Sequence, residues 1–170
     1  PPHLIGGALN NLYQSLQKQT IKDFEWLLVD DGSTDDTKNI AEEMREKAEF
    51  PMRYIYKENG GKHTALNVGV KQITSELTFI VDSDDMLVPN AIETILQYHK
   101  KYRERKDLCG YSFLRRFPDG KINGKPFEPD EKGGTYIECR INADDTQADK
   151  AEVFYTRCLK EFPFPEHRNE

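Results

Sequence analysis

Along residues 8–18 the apolar side chains Leu9, Leu12, Tyr13 and Leu16 recur every three or four positions. That spacing draws one stripe along a helix, so the segment is predicted to be an amphipathic helix closed at Thr20. Trp26-Leu27-Leu28-Val29 is apolar throughout and runs into Asp30-Asp31-Gly32-Ser33, the pattern of a strand covered on both faces and followed by a turn. Residues 35–47 return to helical spacing with Ile40 and Met44 inward, with Ser33 or Asp35 as N-cap, and Pro51 ends the unit. Residues 52–56 alternate as a strand, and Glu58-Asn59-Gly60-Gly61 then breaks the chain. A second amphipathic helix carrying Ala65, Leu66, Val70 and Ile73 follows, and residues 77–81 form the next strand.

Strands alternating with helices over the first hundred residues predict an α/β protein, a mostly parallel sheet with helices on both faces in an αβα sandwich. Beyond it the pattern predicts a long helix over 89–105, a strand over 108–117 and a turn at Pro118-Asp119-Gly120. Residues 121–134 are rich in Gly, Pro and charge, which suits a loop or loosely paired ribbon able to order on ligand binding. A strand over 135–141 and a helix over 149–161, ended by Phe162-Pro163-Phe164-Pro165, complete the reading.

At 170 residues the chain is expected to be a single domain, with a wet surface given 36% hydrophobic content and a mean hydropathy of -0.79. Its net charge of -6 argues against nucleic acid as a partner, since a phosphate backbone calls for a basic face. No run approaches the ~20 apolar residues of a membrane span, and the N-terminus lacks a basic-then-apolar leader pattern. Cys109, Cys139 and Cys158 are widely spaced and contain no Cys-x-x-Cys pair, which fits a reducing compartment. The expected location is the cytoplasm or the inner face of a membrane.

Chemistry concentrates where apolar strands end. Phe79-Ile80-Val81 runs straight into Asp82-Ser83-Asp84-Asp85, which puts carboxylates at the carboxyl end of a strand, where open α/β sheets bind ligands. Crowded carboxylates repel unless a cation neutralises them, so the cluster calls for a divalent metal or for raised pKa values. The plain alternative is an acidic turn that caps the helix starting near Pro89. Asp30 and Asp31 repeat the device, and a carboxylate there can accept hydrogen bonds from a uracil imide or from ribose hydroxyls; a βα turn with good capping chemistry is the plain reading. Asn59-Gly60-Gly61-Lys62 offers close backbone approach and a helix start, a candidate phosphate edge, although the Walker A spacing is absent. Lys62 either pairs with a diphosphate or is a solvated lysine.

Three segments together resemble the family 2 glycosyltransferases, inverting enzymes of the GT-A fold. They are Leu28-Val29-Asp30-Asp31-Gly32-Ser33-Thr34-Asp35, Asn59-Gly60-Gly61-Lys62 through Ala65-Leu66-Asn67-Val68-Gly69, and Phe79-Ile80-Val81-Asp82-Ser83-Asp84-Asp85. The resemblance covers residues 8–105 well, the expected nucleotide-sugar half, and 106–170 weakly, the expected start of the acceptor side. It implies a GT-A, Rossmann-like sheet and transfer of a sugar from a nucleoside diphosphate, UDP above all, to an acceptor hydroxyl with inversion. By the same resemblance Asp30, Asp31, Lys62, Asp82 and Ser83 would bind the nucleotide-sugar, and Asp84 and Asp85 would hold Mn²⁺ or Mg²⁺ in an Asp-x-Asp element. The acceptor, whether saccharide, lipid or protein, is left open.

The chain departs from the family at two places. It opens on Pro1-Pro2-His3-Leu4-Ile5-Gly6-Gly7 where the family has an apolar strand and a Thr-x-Tyr-Asn-like turn. No general base matches before Glu170, which leaves Asp149, Glu166 and Glu170 as fallback bases and truncation as the expectation. Two other classes stay in play: a nucleotide-sugar-binding module without turnover, and a nucleotidyltransferase, for which Gly6-Gly7 lacks the basic residues that should follow.

Overall fold

Helix α1 (Ile5–Gln17) turns Leu9, Leu12, Tyr13 and Leu16 onto one buried stripe, as their spacing predicts. The computed structural model describes residues 5–126, 130–135, 137–138 and 148–166. The α1 stripe meets Ala41 and Met44 of helix α2 (Thr37–Lys47), with Phe50 and Met52 closing the cluster. Tyr13 stacks against Trp26 with ring centroids 6.2 Å apart, and Phe24 tilts onto Phe50 at 4.7 Å, within the range where aromatic pairs add to burial.

Strand β1 (Trp26–Asp31) pairs in parallel with β2 (Met52–Lys57), in a register from Trp26↔Met52 to Asp31↔Lys57. Successive β1 side chains point to opposite faces. Trp26 and Leu28 pack on the α1–α2 cluster, while Leu27 and Val29 face helix α3 (Lys62–Gln72). There Gly69 lets α3 lie close, since a Cβ added to it would sit 3.2 Å from the Val29 Cγ2. Both faces of β1 are thus covered.

The second half builds on strand β3 (Leu77–Phe79), helix α4 (Ala91–Tyr102), strands β4 (Gly110–Leu114) and β5 (Lys150–Tyr155), and helix α5 (Thr156–Glu161). Ile92, Ile95 and Val153 form its core with Leu77, Phe79, Tyr111 and Phe113. On the other face of β3, the Thr78 and Thr156 hydroxyls meet at 2.8 Å. Phe24 and Leu87 pack against both cores and join the two halves into one layered body.

The parallel pairing predicted from the alternation holds for β1 and β2, whose connection crosses over through α2. The later strands pair differently, because β5 runs back between β3 and β4 and is antiparallel to both. Residues 149–161 are therefore not one helix: the alternating Ala151, Val153 and Tyr155 make a strand, and only the last six residues coil. The strand predicted over 77–81 is confined to Leu77–Phe79, and that over 108–117 to Gly110–Leu114. Past β4 the chain forms a short ribbon in which Arg116 bridges Ile122 and Phe117 donates to the Lys121 carbonyl at 2.9 Å, closed by the predicted turn with Gly120 at φ +86°. Most of the strand predicted over 135–141 lies outside the described residues. Among the described residues no helix is long and apolar enough to cross a membrane.

Candidate functional site

Asp30 and Asp31 end β1 and, by the period of two, do different work. Asp30 is buried; it accepts the Tyr54 hydroxyl at 2.6 Å and the Ser33 N–H at 2.8 Å. Burial first, and then the Asp30 carboxylate, push the Tyr54 hydroxyl well above the usual phenol range. Asp30 is thus tied into the frame, with one hydrogen bond on each carboxylate oxygen. Asp31 faces the glycine turn. Its carboxylate accepts the Gly60 N–H at 3.0 Å and the Gly61 N–H at 2.7 Å, and pairs with Lys57 Nζ.

Burial pulls the Asp31 carboxyl upward, but Lys57 and the two N–H groups outweigh it and hold the carboxyl below its ordinary value. The Gly60 and Gly61 N–H groups are therefore given to Asp31. Gly32 permits the close approach: its φ is +84°, and a Cβ on it would lie 2.6 Å from the Asn59 backbone nitrogen.

Lys62 opens α3 just after these glycines and reaches the second acidic segment, where its Nζ lies 2.5 Å from Asp82 Oδ1. The two strand ends are thereby joined through one cation. Asp82, Ser83, Asp84 and Asp85 form a turn in which the Asp85 N–H donates to the Asp82 carbonyl at 3.1 Å, with Ser83 and Asp84 exposed. Asp85 points inward to Arg115, whose guanidinium also pairs with Asp149. Burial raises the Asp85 carboxyl above its ordinary value, with Asp82, Asp84 and Asp149 adding to the rise and Arg115 opposing it. The acid turn resolves its crowding partly by neighbouring cations and partly by this shift.

The loop behind the acid turn is held from α1. Ser15 Oγ accepts the Leu87 N–H at 3.1 Å, and buried Gln19 donates to the Val88 carbonyl at 2.9 Å while accepting the Ile92 N–H at 3.1 Å. On the far side of α3, buried Asn67 holds the C-terminal segment: its Nδ2 donates to the Phe164 carbonyl at 2.9 Å and to Glu166 at 2.7 Å, and its Oδ1 accepts the Phe164 N–H at 2.9 Å.

The fallback bases Asp149 and Glu166 are thus engaged by Arg115 and Asn67, and Glu170 lies outside the described residues. Among the described residues no three metal-ligating side chains converge. Lys57, Arg115 and Gln19 were not singled out from the sequence, and Asn67 stood in the second motif segment without a role of its own. Aligning β1 and β2 at their carboxyl ends would have placed Lys57 opposite Asp31, whereas nothing local marks Arg115 or Gln19.

The model of the family described as glycosyl transferase family 2 matches residues 6–153. An uncharacterized glycosyltransferase of Rickettsia typhi is 38% identical over 99 residues, which cover 56% of this chain and 30% of that protein. Glycosyltransferase GlyG of Streptococcus pneumoniae is 37% identical over 98 residues, covering 57% of this chain and 32% of that one. The matched stretch thus spans about a third of these relatives' length. Among solved structures, S. aureus TarS 1-349 in complex with UDP superposes with a TM-score of 0.72 at 23% identity, covering 95% of this chain and 47% of that one. TarS 1-349 in a second crystal structure gives 0.68 at 27% identity, covering 98% and 49%. The likeness shows the GT-A fold.

Proposed function

Since the chain belongs to glycosyl transferase family 2, we propose that it forms the donor side of a glycosyltransferase that takes a nucleoside-diphosphate sugar, UDP-linked, and transfers the sugar to an acceptor hydroxyl with inversion. Residues 8–105 would carry the nucleotide-sugar and 106–170 would begin the acceptor side. The observation that carries this reading is the Lys62–Asp82 pair, because it makes one continuous polar edge from Asp31 through Gly60 and Gly61 to the acid turn. A UDP-bound TarS of the same fold supports the choice of nucleotide.

Within this reading Asp31 accepts from the base or ribose, Lys62 leaves Asp82 for the diphosphate, and Asp82 with the exposed Ser83 takes the ribose. The donor set at the turn is all oxygen, so it suits a hard divalent cation, Mn²⁺ or Mg²⁺, held by Asp84 and Asp85. Such an ion would supply charge neutralisation for the departing nucleoside diphosphate. The protein's own part is to orient the donor on α3 and the two strand ends, so that an acceptor oxygen attacks opposite the leaving group.

Saturation-transfer NMR against UDP-, GDP- and ADP-linked glucose tests the nucleotide: preferential signals from the uridine compound support the reading, and equal or absent signals from all three overturn it. A second reading, a nucleotide-sugar-binding module without turnover, is favoured by the engagement of Asp149 and Glu166. Release of UDP from UDP-sugar by this chain would exclude that second reading.

A further inference from the structure

Asp149 stands just before strand β5, and a pair of cysteines flanks the strand's other end. Cys109 immediately precedes β4, and its carbonyl accepts the Tyr155 N–H at 2.8 Å, which fixes it against the end of β5. Cys158 lies three residues beyond Tyr155, in the first turn of α5. The two strands are pressed hard together there: a Cβ added to Gly110 would lie 2.2 Å from the Val153 carbonyl oxygen. One guanidinium then spans the gap, with Arg157 Nη1 3.2 Å from Cys158 Sγ and Nη2 2.9 Å from the carbonyl of Leu108, the residue before Cys109. The Tyr155 N–H on Cys109 and the Arg157 bridge together bring the Cys158 thiol beside Cys109. Cys109 is exposed and Cys158 buried.

We propose that Cys109 and Cys158 are a reversible redox pair that closes to an intramolecular disulfide. Exposure makes Cys109 the attacking thiol. Cys158 is buried, so it is the resolving partner; that burial, and then neighbouring Cys109, hold its thiol above the ordinary pKa against the opposing charge of Arg157. With a low-molecular-weight disulfide as oxidant, the Cys109 thiolate attacks one of its sulfurs, breaks that S–S bond and releases one thiolate. The Cys158 thiolate then attacks Cys109 Sγ and releases the second thiolate. Two protein thiols are oxidised, the small disulfide is reduced to two thiols, and the two protons leave on those thiols.

The cross-link would tie β4 to α5. The far end of β4 leads to Arg115 on Asp85, and α5 leads to the segment held by Asn67. A thiol pair that opens and closes in this way fits a reducing compartment, where protein disulfides are transient.

The test is incubation of the folded chain with oxidised glutathione, followed by alkylation of remaining thiols, denaturation and non-reducing tryptic mapping. The proposal expects loss of two of the three thiols, a linked species of peptides 107–115 and 158–160, and full recovery of thiols with dithiothreitol. Cys139→Ser should leave the linked species unchanged, and Cys158→Ala should trap glutathione on Cys109. Retention of all three thiols, a bridge that includes Cys139, or a lasting glutathione adduct on wild-type Cys109 with no linked peptide would overturn it.

Discussion

Arg115 and Asp85 are ion-paired, although one follows β4 and the other closes the acid turn after β3. The same guanidinium takes Asp149, so one base serves two acids that would otherwise face each other. Both Arg115 and Asp85 are mostly shielded from water, which makes the pair more than a screened surface contact. On the proposed function, Arg115 holds the place of a cation until donor and metal arrive.

Replacing Arg115 with Gln should therefore lower the thermal midpoint in metal-free buffer, at a cost of about 1 to 3 kcal/mol for a lost charged hydrogen-bond partner. Mn²⁺ should restore more stability to the variant than it adds to the wild type, since Asp85 no longer has to release a cation. Scanning fluorimetry across a Mn²⁺ titration measures both; identical responses of the two proteins would contradict the account.

Asp31 gives a pH signature. Its carboxyl lies below the ordinary value of 3.8 in the folded chain, so folding favours the charged form, and the stabilisation is present above the unfolded pKa and lost as pH falls through the folded one. Wild type should be more stable than Asp31→Asn at pH 7, with the difference shrinking once the pH drops below about 4. Urea unfolding at a series of pH values checks this, and a gap that stays constant down to the acid limit would refute it.

Asn67 makes all its described side-chain hydrogen bonds to Phe164 and Glu166. Asn67→Ala would leave the Phe164 N–H and carbonyl without those partners, so a loss of about 1 to 3 kcal/mol is expected. Hydrogen exchange at the Phe164 amide should also speed up, because the Asn67 Oδ1 that accepts it is gone. Unchanged exchange at Phe164 would show that the segment is held by something other than Asn67.

How much of this was legible beforehand follows from the range of each interaction. The α1 stripe, the β1–α2–β2 unit and α3 rest on local periodicity, and they form as predicted. β5 escaped because Lys150-Ala151-Glu152 is good helix material, and its strand character is imposed by two neighbours, β3 and β4, that pair with it from distant parts of the chain. The site divides in the same way. Asp31, Lys62 and the acid turn are local motifs, whereas Lys57, Arg115 and Asn67 acquire their roles from partners 26, 30 and 97 residues away. Asp30 combines both: its motif position suggests a ligand contact, and its Tyr54 partner comes from 24 residues away.

The central claim is that the acid turn and the Asp31 edge bind one nucleotide with the help of a divalent ion. Calorimetric titration of UDP into the chain, with Mn²⁺ and with excess chelator, tests it most directly when run on wild type and on Asp84→Ala, an exposed residue whose loss should leave the fold intact. The account predicts saturable binding that strengthens at least tenfold with Mn²⁺ in wild type, about 1.4 kcal/mol, and no metal dependence in Asp84→Ala. Metal-independent affinity in both proteins, or no UDP binding by folded wild type with Mn²⁺ present, would contradict it.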